Sequence, residues 1–258
     1  LWVRCSFNFF KTFSNPNRAN EVEITFKKIA VKNNISMLKR IKQNIIGQPF
    51  FFGAYFIFLI LIVLILSMYS KTESIALVNQ NWSYSQDVFF KYCTYLGDGL
   101  FAVLILVFLL IYRLKYGIIA AICFSTTALV TQFLKKVIFS DVMRPSIDFY
   151  NDFQNNLLHK VEGVVLLKGN SFPSGHTTSV FSICCLLVML FPKNKMGTLL
   201  ILTASLTAYS RVYLSQHYFE DIFVGSIIGC LGTLFIFTFL QNIKWGSWSE
   251  YSFINRNK

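Results

Sequence analysis

Residues 50–68 read FFFGAYFIFLILIVLILSM, nineteen positions without a single charge. As an α-helix such a run covers about 30 Å at 1.5 Å per residue, the thickness of a bilayer's hydrocarbon. Apolar character returns over residues 100–112, 117–139, 174–191, 196–214 and 219–240. The pattern predicts an all-α, six-transmembrane-helix integral membrane protein. The second run is short unless its helix begins earlier, near Val88, and the polar, aromatic stretch 69–99 reads as a loop or short interfacial helix ending in the Gly97-Asp98-Gly99 turn. The chain is 54% hydrophobic and only 14% charged, against roughly 45–50% and 25% in soluble domains. An intrinsically disordered chain is excluded, and a water-soluble core of this length would not hide that surplus.

The formal charge of +12 invites a nucleic-acid partner until the charges are placed. Nine Lys and Arg fall in residues 1–49, with Arg113, Lys115, Lys193, Lys195 and Lys244 at alternate ends of the apolar runs. The intervening loops carry Glu73, Asp87 and Asp98, then Asp141, Asp148, Asp152 and Glu162, then Glu220 and Asp221. By the positive-inside rule both termini are cytoplasmic. The expected organisation is a basic cytoplasmic segment over 1–49, a six-span domain over 50–240 and a cytoplasmic tail over 241–258. The basic segment supplements its topological role by contact with anionic lipid, and nucleic acid is not implied.

Cys123, Cys184, Cys185 and Cys230 lie inside apolar runs and no Cys-x-x-Cys occurs, so the cysteines read as small core residues rather than a disulfide framework or zinc site. The first apolar run begins behind a long basic stretch, which predicts a span acting as its own insertion signal in place of a cleavable signal peptide.

Three polar clusters meet the same, non-cytoplasmic, face on the six-span reading. They are Lys135-Lys136 with Arg144-Pro145; Pro173-Ser174-Gly175-His176; and Ser210-Arg211 followed by His217 and Asp221. Ser174 is a good N-cap, and Gly175 lets an anion approach the free N–H groups at the positive end of a helix. Alone, that motif is a capped helix start. Asp221 follows His217 by four residues and shares its helix face; a carboxylate there can hold one ring nitrogen protonated and leave the other free to attack. Cations this close to a bilayer are costly without a function. Several cations, helix-end amides, one oriented His and a second His suit a phosphoryl group, whose charge spreads over three oxygens in transfer. No acidic cluster or His/Cys set with metal-ligand spacing occurs, so neither metal nor other cofactor is demanded.

These clusters resemble the signature of the type 2 phosphatidic acid phosphatase superfamily: Lys, six residues, Arg-Pro; Pro-Ser-Gly-His; Ser-Arg, five residues, His, three residues, Asp. The second and third match fully. The first departs, because seven residues separate Lys136 from Arg144 and eight separate Lys135 from it. The two lysines point about 100° apart on a helix, so one alone can face the phosphate, and the choice stays open. The resemblance implies a membrane phosphatase acting on a lipid phosphate or diphosphate at the outer face of a bacterial inner membrane. It implies His217 as the nucleophile forming a phosphohistidine, Asp221 orienting it, and His176 as general acid and then base. Lys135 or Lys136, Arg144, Ser174, Gly175 and Arg211 would hold the phosphate. His159 has no counterpart in the pattern and reads as a loop residue. Phosphatidic acid, phosphatidylglycerol phosphate, an isoprenyl diphosphate and lipid A all suit such a site. The competing reading is an anion transporter or channel gated by the same cluster; paired Gly/Pro-broken half-helices, which it would favour, are missing. Vanadium haloperoxidases share a similar signature but are soluble, against six spans.

Overall fold

A computed structural model describes residues 35–155, 157–192 and 194–253. The basic residues before position 35, together with Arg256 and Lys258, lie outside the described residues. The chain divides after Gln43 into Leu1–Gln43, described only over its helical residues 35–43, and Asn44–Lys258. Among the described residues the secondary structure is helical and contains no strand.

Eight main helices build the larger unit. They are α1 (Pro49–Met68), α2 (Lys71–Gln80), α3 (Tyr84–Cys93), α4 (Gly99–Tyr112), α5 (Leu114–Phe133), α6 (Gly175–Leu190), α7 (Asn194–Tyr213) and α8 (Phe219–Leu240). Their boundaries follow local chemistry. Pro49 opens α1, where its fixed φ is pre-set and its missing N–H is not needed. Ser70 and Glu73 close a capping box at α2: Glu73 N donates to Ser70 Oγ (3.3 Å) and Ser70 N donates to Glu73 Oε2 (2.9 Å). Ser83 caps α3 and Asp98 caps α4, the latter accepting from Leu100 N at 2.8 Å. The stretch 69–97 is thus two helices and a 3₁₀ turn (Thr94–Gly97) where a loop or one short interfacial helix was expected. The second apolar helix begins at Gly99 and not near Val88; Tyr84–Gly97 and Gly99–Tyr112 meet at a bend of 52°.

All six apolar runs form helices, but not six spans by length and apolarity. Pro49–Met68, Leu114–Ile138 and Phe219–Leu240 are long and apolar enough to cross a membrane, or four spans result if the bent pair counts as one. The reason is visible in α6. It has 16 residues, about 24 Å of helix, and it packs against α4, α5, α7 and α8. A helix walled in by protein need not satisfy lipid, and α6 carries buried Thr177, Thr178 and Ser182. Helix α7 carries Thr203, Ser205 and the buried Thr207, with Ser210-Arg211 in its last turn. Lipid-like character belongs to the outward faces: Phe56, Ile57 and Leu61 on α1, Leu104 and Phe108 on α4, Phe235 and Phe239 on α8 are all exposed. The chain is a multi-pass membrane protein.

Small residues let α8 lie close to α6. A Cβ on Gly225 would stand 2.7 Å from the Ser174 carbonyl oxygen, and one on Gly229 would stand 2.4 Å from that of Thr178. A hydroxyl pair reinforces the contact, with Ser182 Oγ and Thr233 Oγ1 2.6 Å apart, and Thr131 Oγ1 of α5 donates to Thr178 Oγ1 of α6 at 3.2 Å. Both devices are typical of helix association without a hydrophobic driving force. The close approach fixes the start of α6 against the start of α8, the two ends that bear the polar clusters.

Candidate active site

The α7–α8 connection is five residues long and tightly tied. Gln216 N and His217 N both donate to the Arg211 carbonyl oxygen, at 2.9 and 3.1 Å. His217 is thereby fixed above the first turn of α8, where Asp221 Oδ2 lies 2.9 Å from its Nδ1. On the other side of the ring, Arg144 Nη1 approaches Nε2 at 3.4 Å. A carboxylate accepts and a guanidinium donates, so the proton sits on Nδ1 and the lone pair on Nε2, facing Arg144. His217 is buried; burial first, and then the charges of Arg211, Arg144, Lys135 and His176, push its pKa well below the ordinary imidazole value. Burial and these charges favour the neutral imidazole.

Asp221 is held as firmly as the ring it orients. Its Oδ2 also accepts from Ser171 Oγ at 2.5 Å and from Tyr218 N at 3.1 Å, and its side chain is fully buried. Its backbone carbonyl accepts from Ser174 N at 3.0 Å, tying the second cluster to the third. Ser174 caps α6, its hydroxyl accepting from Thr177 N at 3.4 Å and from Thr177 Oγ1 at 3.0 Å. The side of Gly175 where a Cβ would stand is open space. The first-turn N–H groups of α6, which have no intrahelical acceptor, are therefore accessible to an anion.

Arg144 is clamped by carbonyl oxygens, Nε donating to Gly169 and Nη1 to Gln216, both at 2.9 Å. Arg211 Nη1 donates to Thr94 Oγ1 at 2.6 Å, while its Nε is buried without a partner. Lys135 is buried and Lys136 exposed. The helix widens into a π turn over Leu134–Ile138, which contains both lysines. Among the described residues, none of Lys135, Arg144 and Arg211 forms an ion pair with a carboxylate. Buried cations without counter-ions are expensive. An anion bound among them would relieve that cost.

His176, at the second position of α6, has Asp98 as its ion-pair partner, Nε2 to Oδ2 3.8 Å. The sequence-derived candidates thus converge, apart from Lys136. Sequence reasoning missed Ser171, Gln216, Thr94 and Asp98. Asp98 reads from the sequence as a turn residue and an acidic loop residue, and the others carry no spacing signal. His159 stands apart in a second network: it lies 2.7 Å from Asp87, stacks on Trp82 with centroids 3.7 Å apart, and is held through its backbone by Asn79.

Residues 114–245 match the profile of the PAP2 superfamily. Over 64 residues the chain is 39% identical to a lipid A 4'-phosphatase of Bacteroides thetaiotaomicron, covering 25% of this chain and 28% of that protein. It is 43% identical over 68 residues to the bacitracin transport permease protein BcrC of Bacillus licheniformis (26% of this chain, 32% of that one). The undecaprenyl-diphosphatase BcrC of Bacillus subtilis is 37% identical over 67 residues (26% and 33%). Each alignment spans a third or less of these relatives. The crystal structure of Aquifex aeolicus LpxE superposes with a TM-score of 0.57 and 27% identity, over 66% of this chain and 96% of that one. A PAP2 type phosphatidylglycerolphosphate phosphatase from Bacillus subtilis gives 0.54 and 26%, over 74% and 96%.

Proposed function

The chain belongs to the PAP2 superfamily, and on that premise we propose that it is an integral-membrane phosphatase hydrolysing a lipid phosphate or diphosphate at the outer membrane face. The observation that carries this reading is the oriented, neutral His217 imidazole facing buried cations that lack acidic partners. In this mechanism the Nε2 lone pair attacks phosphorus and forms a phosphohistidine while the ester oxygen leaves with a proton from His176. His176 then removes a proton from water as the water oxygen bonds to phosphorus, and Nε2 departs. Asp221 keeps the proton on Nδ1 and stabilises the positive ring. Lys135, Arg144, Arg211 and the N–H groups around Gly175, with Ser174 shaping that turn, hold the phosphate oxygens. No step calls on a metal or cofactor.

Six spans, with cytoplasmic termini, would hold this site at headgroup height in a bacterial inner membrane. The relatives' names favour lipid A, an undecaprenyl diphosphate or phosphatidylglycerol phosphate as substrate, with phosphatidic acid the simplest member of the class. Headgroup choice falls to the polar stretches 69–99 and 146–172, where Tyr150, Lys160 and Lys168 border a cavity of about 520 Å³. One BcrC relative carries a transport name, yet an anion gate has no use for an imidazole held in one tautomer. The test is phosphate release by purified protein from phosphatidic acid and from undecaprenyl diphosphate in EDTA. Metal-independent, vanadate-sensitive release is expected. Absence of release from every lipid phosphate, alongside phosphate flux in liposomes, would overturn the proposal.

A further inference from the structure

The signature clusters account for three walls of the site; the turn that joins α3 to α4 supplies a fourth. Thr94 of that turn accepts from Arg211 Nη1 at 2.6 Å. Gly97 is pressed against the start of α6, so that a Cβ there would stand 2.6 Å from the His176 carbonyl oxygen. Asp98 follows directly, with its two oxygens in different employment. Its Oδ1 accepts from Leu100 N at 2.8 Å and fixes the carboxylate at the head of α4. Its Oδ2 is thereby turned toward His176 Nε2, 3.8 Å away.

We infer that Asp98 is a positioning residue for the leaving-group step, holding the His176 ring so that Nε2 faces the carboxylate and Nδ1 faces the departing ester oxygen. The inference rests on the phosphatase reading and extends it. His176 otherwise lies where its protonation is disfavoured, by burial first and then by the charges of Arg211, Lys135 and Arg144, with Asp98 supplying the opposing charge. A general acid must carry a proton to the bond that breaks, and three nearby cations work against that. The Asp98 carboxylate opposes them at the ring itself and, by facing Nε2, leaves Nδ1–H as the donor. When the P–O bond to the lipid breaks, the Nδ1 proton goes to the lipid oxygen, giving the alcohol. Nδ1 then takes a proton from the water that attacks the phosphohistidine, which restores the acid. The two carboxylates divide the work: Asp221 keeps one imidazole nucleophilic, and Asp98 favours the protonated form of the other.

Asp98→Asn and Asp98→Glu separate this role from helix capping. Asn caps a helix as well as Asp does but carries no charge; Glu keeps the charge and caps poorly. Turnover of phosphatidic acid and of p-nitrophenyl phosphate is measured against pH for both variants and the wild type in detergent. Asp98→Asn is expected to lower kcat/KM for phosphatidic acid by about tenfold, within the range general-acid catalysis supplies, and to move the basic limb down by about half a pH unit or more. Its turnover of p-nitrophenyl phosphate, whose leaving group needs no proton, should fall by less than about twofold. Asp98→Glu should retain the wild-type limb even where its thermal stability is lower. An unmoved limb in Asp98→Asn, or equal losses on both substrates, would overturn the inference and leave the phosphatase reading standing. Absence of turnover by the wild type of every lipid phosphate tried would overturn both.

Discussion

His217 Nδ1 lies 2.9 Å from Asp221 Oδ2, and that oxygen also receives Ser171 Oγ and Tyr218 N. An oxygen with three donors has no proton of its own to give, so the ring must donate to it. Asp221→Asn replaces the acceptor by an amide that can present N–H, which turns the imidazole to the tautomer with Nε2 protonated. Turnover should fall by about 10⁴-fold, the size of the effect when a buried catalytic carboxylate that sets a His tautomer becomes an amide. Steady-state kinetics on protein of unchanged detergent-extracted melting temperature checks this. Loss below tenfold would mean that the pair is structural.

The two lysines of the first cluster should differ sharply. Lys135 is buried toward Arg144 and Arg211, and Lys136 faces outward. Lys135→Ala should lower kcat by about 10²–10³, the usual cost of one oxyanion donor, and Lys136→Ala should stay within about twofold. Parallel kinetics on both variants decide it; the reverse order would show that the π turn aims the other side chain at the phosphate.

That choice marks the boundary of what the residues disclosed. The apolar runs, the capped Pro-Ser-Gly-His start and the His–Asp spacing were legible because each is a local pattern with a fixed period or offset. The choice between Lys135 and Lys136 was not, because neither lies at the signature's spacing from Arg144. Six runs were legible as helices and not as six spans, since α6 is apolar for a reason other than lipid: it is enclosed by its neighbours. Ser171, Thr94 and Gln216 reach the site through tertiary contacts spanning between 46 and 117 positions of sequence, which no short-range spacing encodes. Asp98 was visible as the middle of a glycine turn and as an acidic loop residue, with no spacing that ties it to His176.

Helix approach should be sensitive to a single methyl group. Gly229→Ala places a Cβ 2.4 Å from the Thr178 carbonyl oxygen, which is backbone and cannot swing away. Overpacking of this kind costs about 1–3 kcal/mol. A lowered melting temperature in detergent is expected, whereas Gly53→Ala on α1, where a Cβ meets nothing within 4 Å, should leave it unchanged.

Stability should decline on acidification through His217. Burial and then the cations around it hold its folded-state pKa well below the ordinary value, about 6.5 in an unfolded chain. Between those two values the unfolded chain binds the extra proton, so stability rises with pH there; the contribution is complete above about pH 6.5 and is lost as pH falls toward the folded value. Thermal melts of the wild type and His217→Gln from pH 7.5 to 4.5 test the sign. The variant should show the shallower decline. The acid limb of kcat/KM should correspondingly lie well below pH 6.5, because the free enzyme keeps Nε2 unprotonated.

The central claim is that His217 itself carries the phosphoryl group. Purified protein is mixed with ³²P-labelled phosphatidic acid, quenched in alkali, where phosphohistidine survives, and the labelled peptide is located by mass spectrometry. The account predicts phosphate on His217, lost on brief acid treatment and absent from His217→Ala. Label on another residue, or near-normal turnover by His217→Ala with no phosphoenzyme in the wild type, would contradict it.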